Sequence, residues 1–307
     1  MSTAAETSEA VASAIPMFTS AQGKIEILRA YQAVMDAWPV DYEELWVTTS
    51  FGETHVIASG PPDGPSVVLL HALFATATSW YRNVEALSQS HRTYCVDVIG
   101  ESNKSRPSRP VASLDDFLQW FTELIDGLGI DSMYLIGNSY GGFTAAYYAM
   151  KLPERVRKLV LIGPASTIHS MRPFMFHMFI PKGIYLAAPF LPGVGRVMRS
   201  SVDWMHAGLP GDSLWEPLFY ETMKYGRLIN KVFPRVYTKD EFAGIKAPVL
   251  LVFGDREVIY GDLQSAIESG KELIPHARVA VIPGAHHIAA LAQPEAFNRE
   301  LLRFLAA

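Results

Sequence analysis

One stretch, residues 133–148, constrains the fold more than any other part of this 307-residue chain. Its sequence is MYLIGNSYGGFTAAYY, in which a short apolar run leads into Gly137-Asn138-Ser139-Tyr140-Gly141 and then into small and aromatic residues. The apolar run has the length of a buried strand, and the residues after the turn suit a closely packed helix. A strand, a sharp turn and a helix with a serine at the apex form a nucleophile elbow, in which glycines flank the serine because a Cβ would clash there.

A serine at this position needs partners from elsewhere in the chain. The helix that follows directs its N-terminal N–H groups and the positive end of its dipole toward whatever Ser139 attacks. A serine hydroxyl is a weak nucleophile unless a base takes its proton and another group orients that base. In a parallel sheet such partners come from the loops at the carboxyl ends of strands, so we look for them there.

Short apolar runs alternate with helical patterns along most of the chain. Buried strands are predicted at 67–70, 93–96, 133–136, 159–162, 249–253 and 279–282, and a hairpin around Phe51-Gly52-Glu53. Helices are predicted at 20–38, at 80–88, after Ser113 as N-cap, at 263–272 and from Pro294 onward. This alternation predicts an α/β protein with a mostly parallel central sheet flanked by helices.

Between residues 165 and 239 the alternation stops. This segment is rich in methionine and aromatic residues, and prolines are scattered through it. It is predicted to be an inserted helical cap, or lid, whose adaptable side chains line an apolar pocket. We therefore predict an N-terminal tail and helix (1–40), a core (41–164 and 240–307) and the cap (165–239), which separates the sixth and seventh core strands. The first 15 residues or so are small and polar and are predicted to be disordered.

Composition excludes several classes of protein. The net charge is −5 and no dense block of Lys and Arg is present, which argues against a nucleic-acid surface. The single cysteine, Cys95, rules out an internal disulfide and, in its apolar run, is predicted to be buried. The N-terminus does not resemble a signal peptide, and no apolar run reaches transmembrane length. We expect a soluble, cytoplasmic protein with no nucleic-acid partner and no membrane insertion.

The last two predicted strands lead into histidines and carboxylates. Strand 279–282 is followed by Pro283-Gly284-Ala285-His286-His287, and one of the two histidines is placed to accept the serine proton. Strand 249–253 is followed by Gly254-Asp255-Arg256-Glu257, which offers two carboxylates. One of them should orient the imidazole, and the other should pair with Arg256 or face solvent. The strand after the elbow ends in Gly163-Pro164-Ala165 and offers no rival acid.

Strand 67–70 is followed by His71-Ala72-Leu73-Phe74. This loop is the natural source of a second backbone N–H for an oxyanion hole, and the first comes from Tyr140, the residue after the serine. His71 has two possible roles, as a second base or as a group that fixes its own loop by hydrogen bonding. We favour the second role, which is the more frequent one for a histidine at a strand end.

The order serine, acid, histidine is that of the α/β-hydrolases, and the chain from about Ile15 to its end resembles that superfamily. Within it the chain is most similar to small bacterial carboxylesterases. The resemblance rests on five segments: Trp38-Pro39-Val40 with Tyr42-Glu43-Glu44, residues 51–57, residues 70–74 leading to Trp80-Tyr81, residues 96–105 and residues 257–260.

The resemblance also implies roles for single residues. The family's Gly-x-x-acid spacing, counted from Gly254, puts the acid on Glu257 rather than Asp255. The family's Gly-His pattern puts the base on His287, with His286 in the glycine position. The family's oxyanion loop makes Leu73 the second N–H donor, although Ala72 stands where the family usually has glycine.

These roles imply hydrolysis of carboxylic esters through an acyl-serine intermediate, with Ser139 as nucleophile and no metal or organic cofactor. The expected substrate is a small-molecule ester with a hydrophobic acyl or aryl group. One alternative is a carbon–carbon bond hydrolase of ring-fission products, which Gly137-Asn138-Ser139 and Asn103-Lys104-Ser105 also resemble. Its relatives usually carry a glycine-rich oxyanion loop, which this chain lacks. A second alternative is a ligand-binding protein with residual hydrolase activity.

Overall fold

The computed structural model describes residues 15–188 and 190–307, so the predicted tail up to residue 14 lies outside the described part. Within that part nine strands form one sheet: β1 (Tyr42–Thr49), β2 (Gly52–Ser59), β3 (Ser66–Leu70), β4 (Arg92–Val96), β5 (Arg106–Pro107), β6 (Met133–Asn138), β7 (Val156–Ile162), β8 (Val249–Gly254) and β9 (Arg278–Ile282). The α-helices are α1 (Ala21–Met35), α2 (Val84–Ser88), α3 (Leu114–Gly127), α4 (Tyr140–Lys151), α5 (Arg172–Phe174), α6 (Ile180–Ala187), α7 (Val194–Met205), α8 (Glu216–Tyr225), α9 (Lys239–Phe242), α10 (Leu263–Leu273), α11 (Ala289–Ala292) and α12 (Pro294–Ala306).

The strand order across the sheet is β1-β2-β4-β3-β6-β7-β8-β9, with β5 paired to β2 at the side. β3, β4 and β6 to β9 run parallel to one another, whereas β1 and β2 pair in antiparallel fashion. The carboxyl ends of the parallel strands therefore meet at one edge, where the loops after them collect. This topology confirms the predicted α/β-hydrolase fold.

The central strands are apolar because helices cover the sheet. Every residue of β6 and β8 is buried, and in β3 only Ser66 is partly exposed. Cys95 in β4 is fully buried, as its apolar neighbours predict. Among the helices of residues 15–188 and 190–307, none is both long enough and apolar enough to cross a membrane.

Most predicted helices are present, and one is wrong in part. Ser113 caps α3, since its Oγ accepts a hydrogen bond from the Asp116 N–H at 3.1 Å. The stretch predicted as one helix at 80–88 is instead a 3₁₀ turn, Ala77–Trp80, followed by the short helix α2. Thr76 starts the 3₁₀ turn, because its Oγ1 accepts from the Thr78 N–H at 3.3 Å. The sequence pattern gives no sign of β5, which is two residues long and contains a proline.

The segment predicted to form the cap contains helices α5 to α8. α5 continues directly into a π-helical turn, Met175–Phe179, and then into α6. The described residues of the segment 165–239 form no strand, and only Gly226 makes a single β-bridge, with Phe18. Tyr81 and Arg82 of the core each donate to a carboxylate oxygen of Asp212 at 2.6 Å and so fasten the segment to the core. The limits of the cap at 165 and 239 stay a proposal.

Candidate active site

Ser139 lies in a strained turn between β6 and α4. Its φ of 52° and ψ of −110° fall outside the regions that residues other than glycine ordinarily adopt. The Ser139 N–H donates to the Ile162 carbonyl at 2.8 Å. Its own carbonyl accepts from the N–H groups of Phe143 and Ala165, each at 3.0 Å. Strain of this kind persists only where the surrounding structure imposes it, and it is concentrated at active sites.

Two glycines make room for this turn. A Cβ at Gly137 would lie 2.3 Å from the Gly141 carbonyl oxygen, and a Cβ at Gly141 would lie 2.4 Å from the Leu70 carbonyl oxygen. Both distances are far shorter than van der Waals contact. The nearest atoms belong to the backbone, so they cannot be moved aside by a change of side-chain rotamer. A side chain at either position would therefore push the elbow away from its neighbours.

His287 follows β9 and contacts the acid to which the resemblance points. Its Nδ1 is 2.9 Å from Oε2 and 3.0 Å from Oε1 of Glu257. Because a carboxylate only accepts hydrogen bonds, Nδ1 carries the proton and Nε2 presents its lone pair. Nε2 is buried, and among residues 15–188 and 190–307 it has no hydrogen-bond partner, Ser139 included. It is free to take a proton from a group that enters the site.

Glu257 is held by its own backbone as well as by the imidazole. Its Oε1 accepts hydrogen bonds from the N–H groups of Val258 at 2.9 Å and Ile259 at 3.1 Å. The side chain is buried, whereas Asp255 and Arg256 are exposed. The structure therefore brings Glu257, and not Asp255, into contact with the imidazole.

A single glycine after β7, Gly163, lies between the serine and the imidazole–carboxylate pair. Ile162 and Ala165, which hydrogen-bond to the backbone of Ser139, stand on either side of Gly163 in the chain. A Cβ at Gly163 would lie 2.8 Å from Glu257 Oε2 and 3.0 Å from His287 Nδ1, and its φ of +46° also favours glycine. The turn at Gly163 thus contacts the imidazole–carboxylate pair on one side, and its neighbours Ile162 and Ala165 hydrogen-bond to the backbone of Ser139.

His286, the other candidate base, packs against the segment predicted as cap. Its ring centroid is 4.7 Å from that of His206, which follows α7, and its Nδ1 accepts a hydrogen bond from the Ile288 N–H at 3.2 Å. Burial, together with the nearby His206 and His287, lowers the pKa of His286 to about 3. The imidazole is therefore neutral at pH 7 and is part of the contact with His206.

His71 is occupied within its own loop. Its Nδ1 lies 2.8 Å from the Ala72 carbonyl and donates to it, so Nε2 accepts from the Val98 N–H at 3.0 Å. Burial lowers the pKa of His71 and keeps the ring neutral. With both nitrogens engaged, the ring joins the loops after β3 and β4 and leaves no nitrogen for a second base.

The two predicted oxyanion donors, Leu73 and Tyr140, line the same cavity as Ser139. Tyr140 is the first residue of α4, so its N–H has no partner within the helix. Leu73 precedes Phe74, which is held in the left-handed region with a φ of 64°. The geometry places both residues beside the serine, and their role as hydrogen-bond donors to an oxyanion stays a prediction.

A cavity of about 240 Å³ opens onto Ser139. Its walls are mostly apolar and come largely from the segment predicted as cap, through Met171, Phe174, Met175, Phe179, Leu228, Val232, Phe233 and Pro234. The volume lies slightly below the range of about 300–1,000 Å³ that is usual for small-molecule sites. A larger groove of about 630 Å³ beside α1 contains none of the predicted catalytic residues, so the chemistry favours the smaller cavity.

Glu101 also lines this cavity, although no sequence motif gives this residue a role. It stands shortly after β4, at the edge of the sheet where the other site residues collect. A carboxylate so close to the carboxyl end of a parallel strand is the signal that identifies such a residue. In this chain the signal is weak, because residues 96–105 carry several polar side chains in a row.

Comparisons with known proteins find relatives along nearly the whole chain. A family model described as the alpha/beta hydrolase fold matches residues 65–195. The chain is 34% identical to carboxylesterase YbfK of Bacillus subtilis over 299 residues, which cover 94% of this chain and 96% of that protein. It is 32% identical to a second Bacillus subtilis protein, named uncharacterized carboxylesterase nap, over 92% of this chain and 93% of that protein.

Solved structures show the same likeness. The crystal structure of naproxen esterase (carboxylesterase NP) from Bacillus subtilis matches with a TM-score of 0.83 and 31% identity, and the match covers 93% of this chain and 99% of that chain. A meta-cleavage product hydrolase matches with a TM-score of 0.68 at 22% identity. At that lower identity the second likeness concerns the fold alone.

Proposed function

The chain belongs to the α/β-hydrolase family and is a carboxylic ester hydrolase, and we propose that it works through an acyl-serine intermediate on Ser139. The observation that carries this proposal is the contact of the His287 imidazole with the Glu257 carboxylate at 2.9 Å, beside a serine in a strained turn. The carboxylate fixes the tautomer in which Nε2 is a base, and the turn exposes the serine hydroxyl to the cavity.

In the proposed reaction Ser139 Oγ attacks the ester carbonyl, and His287 Nε2 takes the hydroxyl proton. Glu257 keeps Nδ1 protonated and stabilises the imidazolium that forms. The N–H groups of Leu73 and Tyr140 bind the developing oxyanion. His287 then gives its proton to the leaving alcohol, and a water molecule, deprotonated by the same imidazole, attacks the acyl-serine and releases the acid.

The cavity supports a further part of the proposal, the substrate class. Its walls are apolar and its volume of about 240 Å³ is small, so we propose a small-molecule ester with a hydrophobic acyl or aryl group of short to medium length. A long chain would have to leave the cavity and lie along the cap. Acyl-chain length is therefore the property that an assay should vary first.

The proposal is tested by steady-state hydrolysis of p-nitrophenyl esters from acetate to palmitate. We expect turnover to peak at short or medium chains and to fall at least about 10⁴-fold in Ser139→Ala. Ser200→Ala, at an exposed serine of α7, is the matched control and should keep wild-type activity. Near-wild-type turnover by Ser139→Ala would refute the mechanism. A single burst of p-nitrophenol without steady-state turnover would identify a binding protein instead.

A further inference from the structure

Glu101 places one carboxyl group in the wall of the apolar cavity beside Ser139. The residue is only 3% exposed, and its Oε2 lies 3.5 Å from the Phe74 N–H, at the outer limit of a hydrogen bond. Within residues 15–188 and 190–307 its side chain makes no second hydrogen bond. Buried polar groups in folded proteins are nearly always paired, so a carboxyl group with one long contact calls for an explanation.

The protein groups around this carboxyl group have other partners. Lys182 reaches toward it from α6, but its Nζ donates to the Gly226 carbonyl at 2.9 Å and lies 4.9 Å from the centre of the Phe74 ring. In the described part of the chain Lys182 forms no ion pair with Glu101 within 4.0 Å. Its charge therefore acts on Glu101 at longer range only.

Asn230, another polar side chain in the cavity wall, is also paired. Its Nδ2 donates to the Ile99 carbonyl at 2.8 Å, and its Oδ1 accepts from the Val111 N–H at 3.3 Å. These bonds clamp the turn that carries Glu101, where a Cβ at Gly100 would lie 2.1 Å from Asn230 Oδ1. The carboxyl group is thus held in place on a rigid turn, which is the condition for specific recognition.

Burial raises the pKa of Glu101 to about 8, although Lys182 acts in the opposite direction. At pH 7 the group is therefore mainly the neutral acid, which has one O–H to donate. No charge has to be compensated in the cavity, and the natural complement of the O–H is an acceptor oxygen on the bound molecule. The apolar walls would hold the hydrocarbon parts of that molecule.

We propose that Glu101 is a specificity-determining residue that donates a hydrogen bond to an acceptor oxygen, such as a keto or ether oxygen, on the part of the ester in the cavity. This inference rests on the proposed ester hydrolysis at Ser139. It narrows the substrate class from plain hydrophobic esters to esters that carry one additional oxygen function at a set distance from the reacting carbonyl.

The test compares p-nitrophenyl hexanoate with its monoketo analogues, in which the oxo group is moved along the chain, for wild type, Glu101→Gln and Glu101→Leu. Each kcat/KM is divided by the rate with hydroxide, which removes differences in chemical reactivity. We expect one keto ester to exceed hexanoate about tenfold in the wild type. Glu101→Gln keeps an N–H donor and should keep most of this preference, whereas Glu101→Leu should lose it.

Butyrate esters of hexanol and of the keto-hexanols extend the test to the case in which the alcohol part fills the cavity. The ratio of two substrates within one variant cancels any loss of folded or active protein. If no keto ester of either set is preferred, or if the preference survives Glu101→Leu, the inference fails while hexanoate turnover still supports the ester hydrolase. If no ester is turned over at all, the proposed function fails.

The ratio of kcat/KM for the preferred keto ester to kcat/KM for hexanoate also depends on pH, which gives an independent result. The wild-type preference should fall as pH rises through about 8, because the carboxylate has no O–H to donate. Lys182 and Tyr140 are the other titratable groups that face Glu101. Burial lowers the pKa of Lys182 to about 8, so it titrates in the same range, and Glu101→Gln, which keeps Lys182, separates the two contributions. In Glu101→Gln the remaining preference should not change with pH, and a parallel fall in that variant would refute the assignment.

Discussion

The assignment of the acid can be tested by removing one oxygen atom. In Glu257→Gln an amide NH₂ replaces one carboxylate oxygen, and the structure determines which one. Oε1 accepts from two backbone N–H groups, those of Val258 at 2.9 Å and Ile259 at 3.1 Å. An NH₂ there would face two donors, so the amide oxygen will occupy the Oε1 position and the NH₂ the Oε2 position, 2.9 Å from His287 Nδ1.

In that orientation the amide NH₂ donates to His287 Nδ1 at 2.9 Å, although the amide oxygen stays 3.0 Å from the same atom, and the imidazole tautomer with its proton on Nε2 is favoured. It then has no lone pair for the serine proton. From the known effect of the wrong tautomer in a serine triad we expect kcat to fall about 10³ to 10⁴-fold, which corresponds to roughly 4 to 5.5 kcal/mol of activation free energy. KM should change little, because the carboxylate does not touch the substrate.

Asp255→Asn is the matched control, two residues away on the same loop. Asp255 is exposed, and surface substitutions of this kind change free energies by about 0.5 kcal/mol or less, so its kcat should stay within about twofold of wild type. Both variants are assayed with the best p-nitrophenyl ester, and circular dichroism and thermal unfolding establish that they are folded. A Glu257→Gln enzyme with more than a tenth of wild-type kcat, or an equal loss in Asp255→Asn, would refute the reasoning.

Two further predictions concern the turn at Gly163 and the buried imidazole of His286. Gly163→Ala should lower kcat at least about tenfold, because its Cβ would lie 2.8 Å from the Glu257 carboxylate. Gly129→Ala is the control, since Gly129 also has a positive φ but no described atom within 4 Å of the added Cβ, and it should lose only about 1 kcal/mol of stability. Equal kcat in the two variants would contradict this prediction. His286 has a lowered pKa when folded, so the unfolded chain binds more protons below its pKa of about 6.5, and the unfolding free energy should fall by about 1.4 kcal/mol per pH unit from there toward about 3. The unfolding free energy is measured by urea unfolding at several pH values between 6 and 4. Its change per pH unit should be smaller by that amount in His286→Gln but not in His276→Gln, at an exposed site. An unchanged pH dependence in both variants would count against a neutral buried His286.

The sequence predicts those parts of the site that depend on local geometry. A serine between glycines, after an apolar run, has few conformations available, and the elbow forms as expected around Ser139. The candidate partners are also predictable in outline, because the carboxyl ends of parallel strands meet at one edge whatever the details of packing. Thus His287 and the carboxylates after β8 could be found without coordinates.

Features that depend on contacts between distant segments could not be found in this way. Spacing along the chain leaves both Asp255 and Glu257 open, and what separates them is the packing of their loop against the residues after β9. There the Asp255 N–H donates to the Ile282 carbonyl at 3.1 Å, and the Arg256 N–H donates to the Ala285 carbonyl at 2.9 Å. Glu101 is a similar case, because most walls of the cavity that it lines come from residues 70 or more positions away in the chain.

The place where the segment predicted as cap leaves the sheet has a consequence for how such a chain can vary. β7 and β8 are neighbours, with Leu159 paired to Val249, yet this whole segment lies between them in the chain. The entropy of closing a long loop grows only with the logarithm of its length, so doubling the excursion costs about 0.6 kcal/mol. Insertions and deletions there are nearly neutral for the sheet but change the cavity wall directly. If the proposed function holds, the length of this segment is therefore a property by which the cavity, and with it the range of accepted esters, can vary while the sheet stays the same.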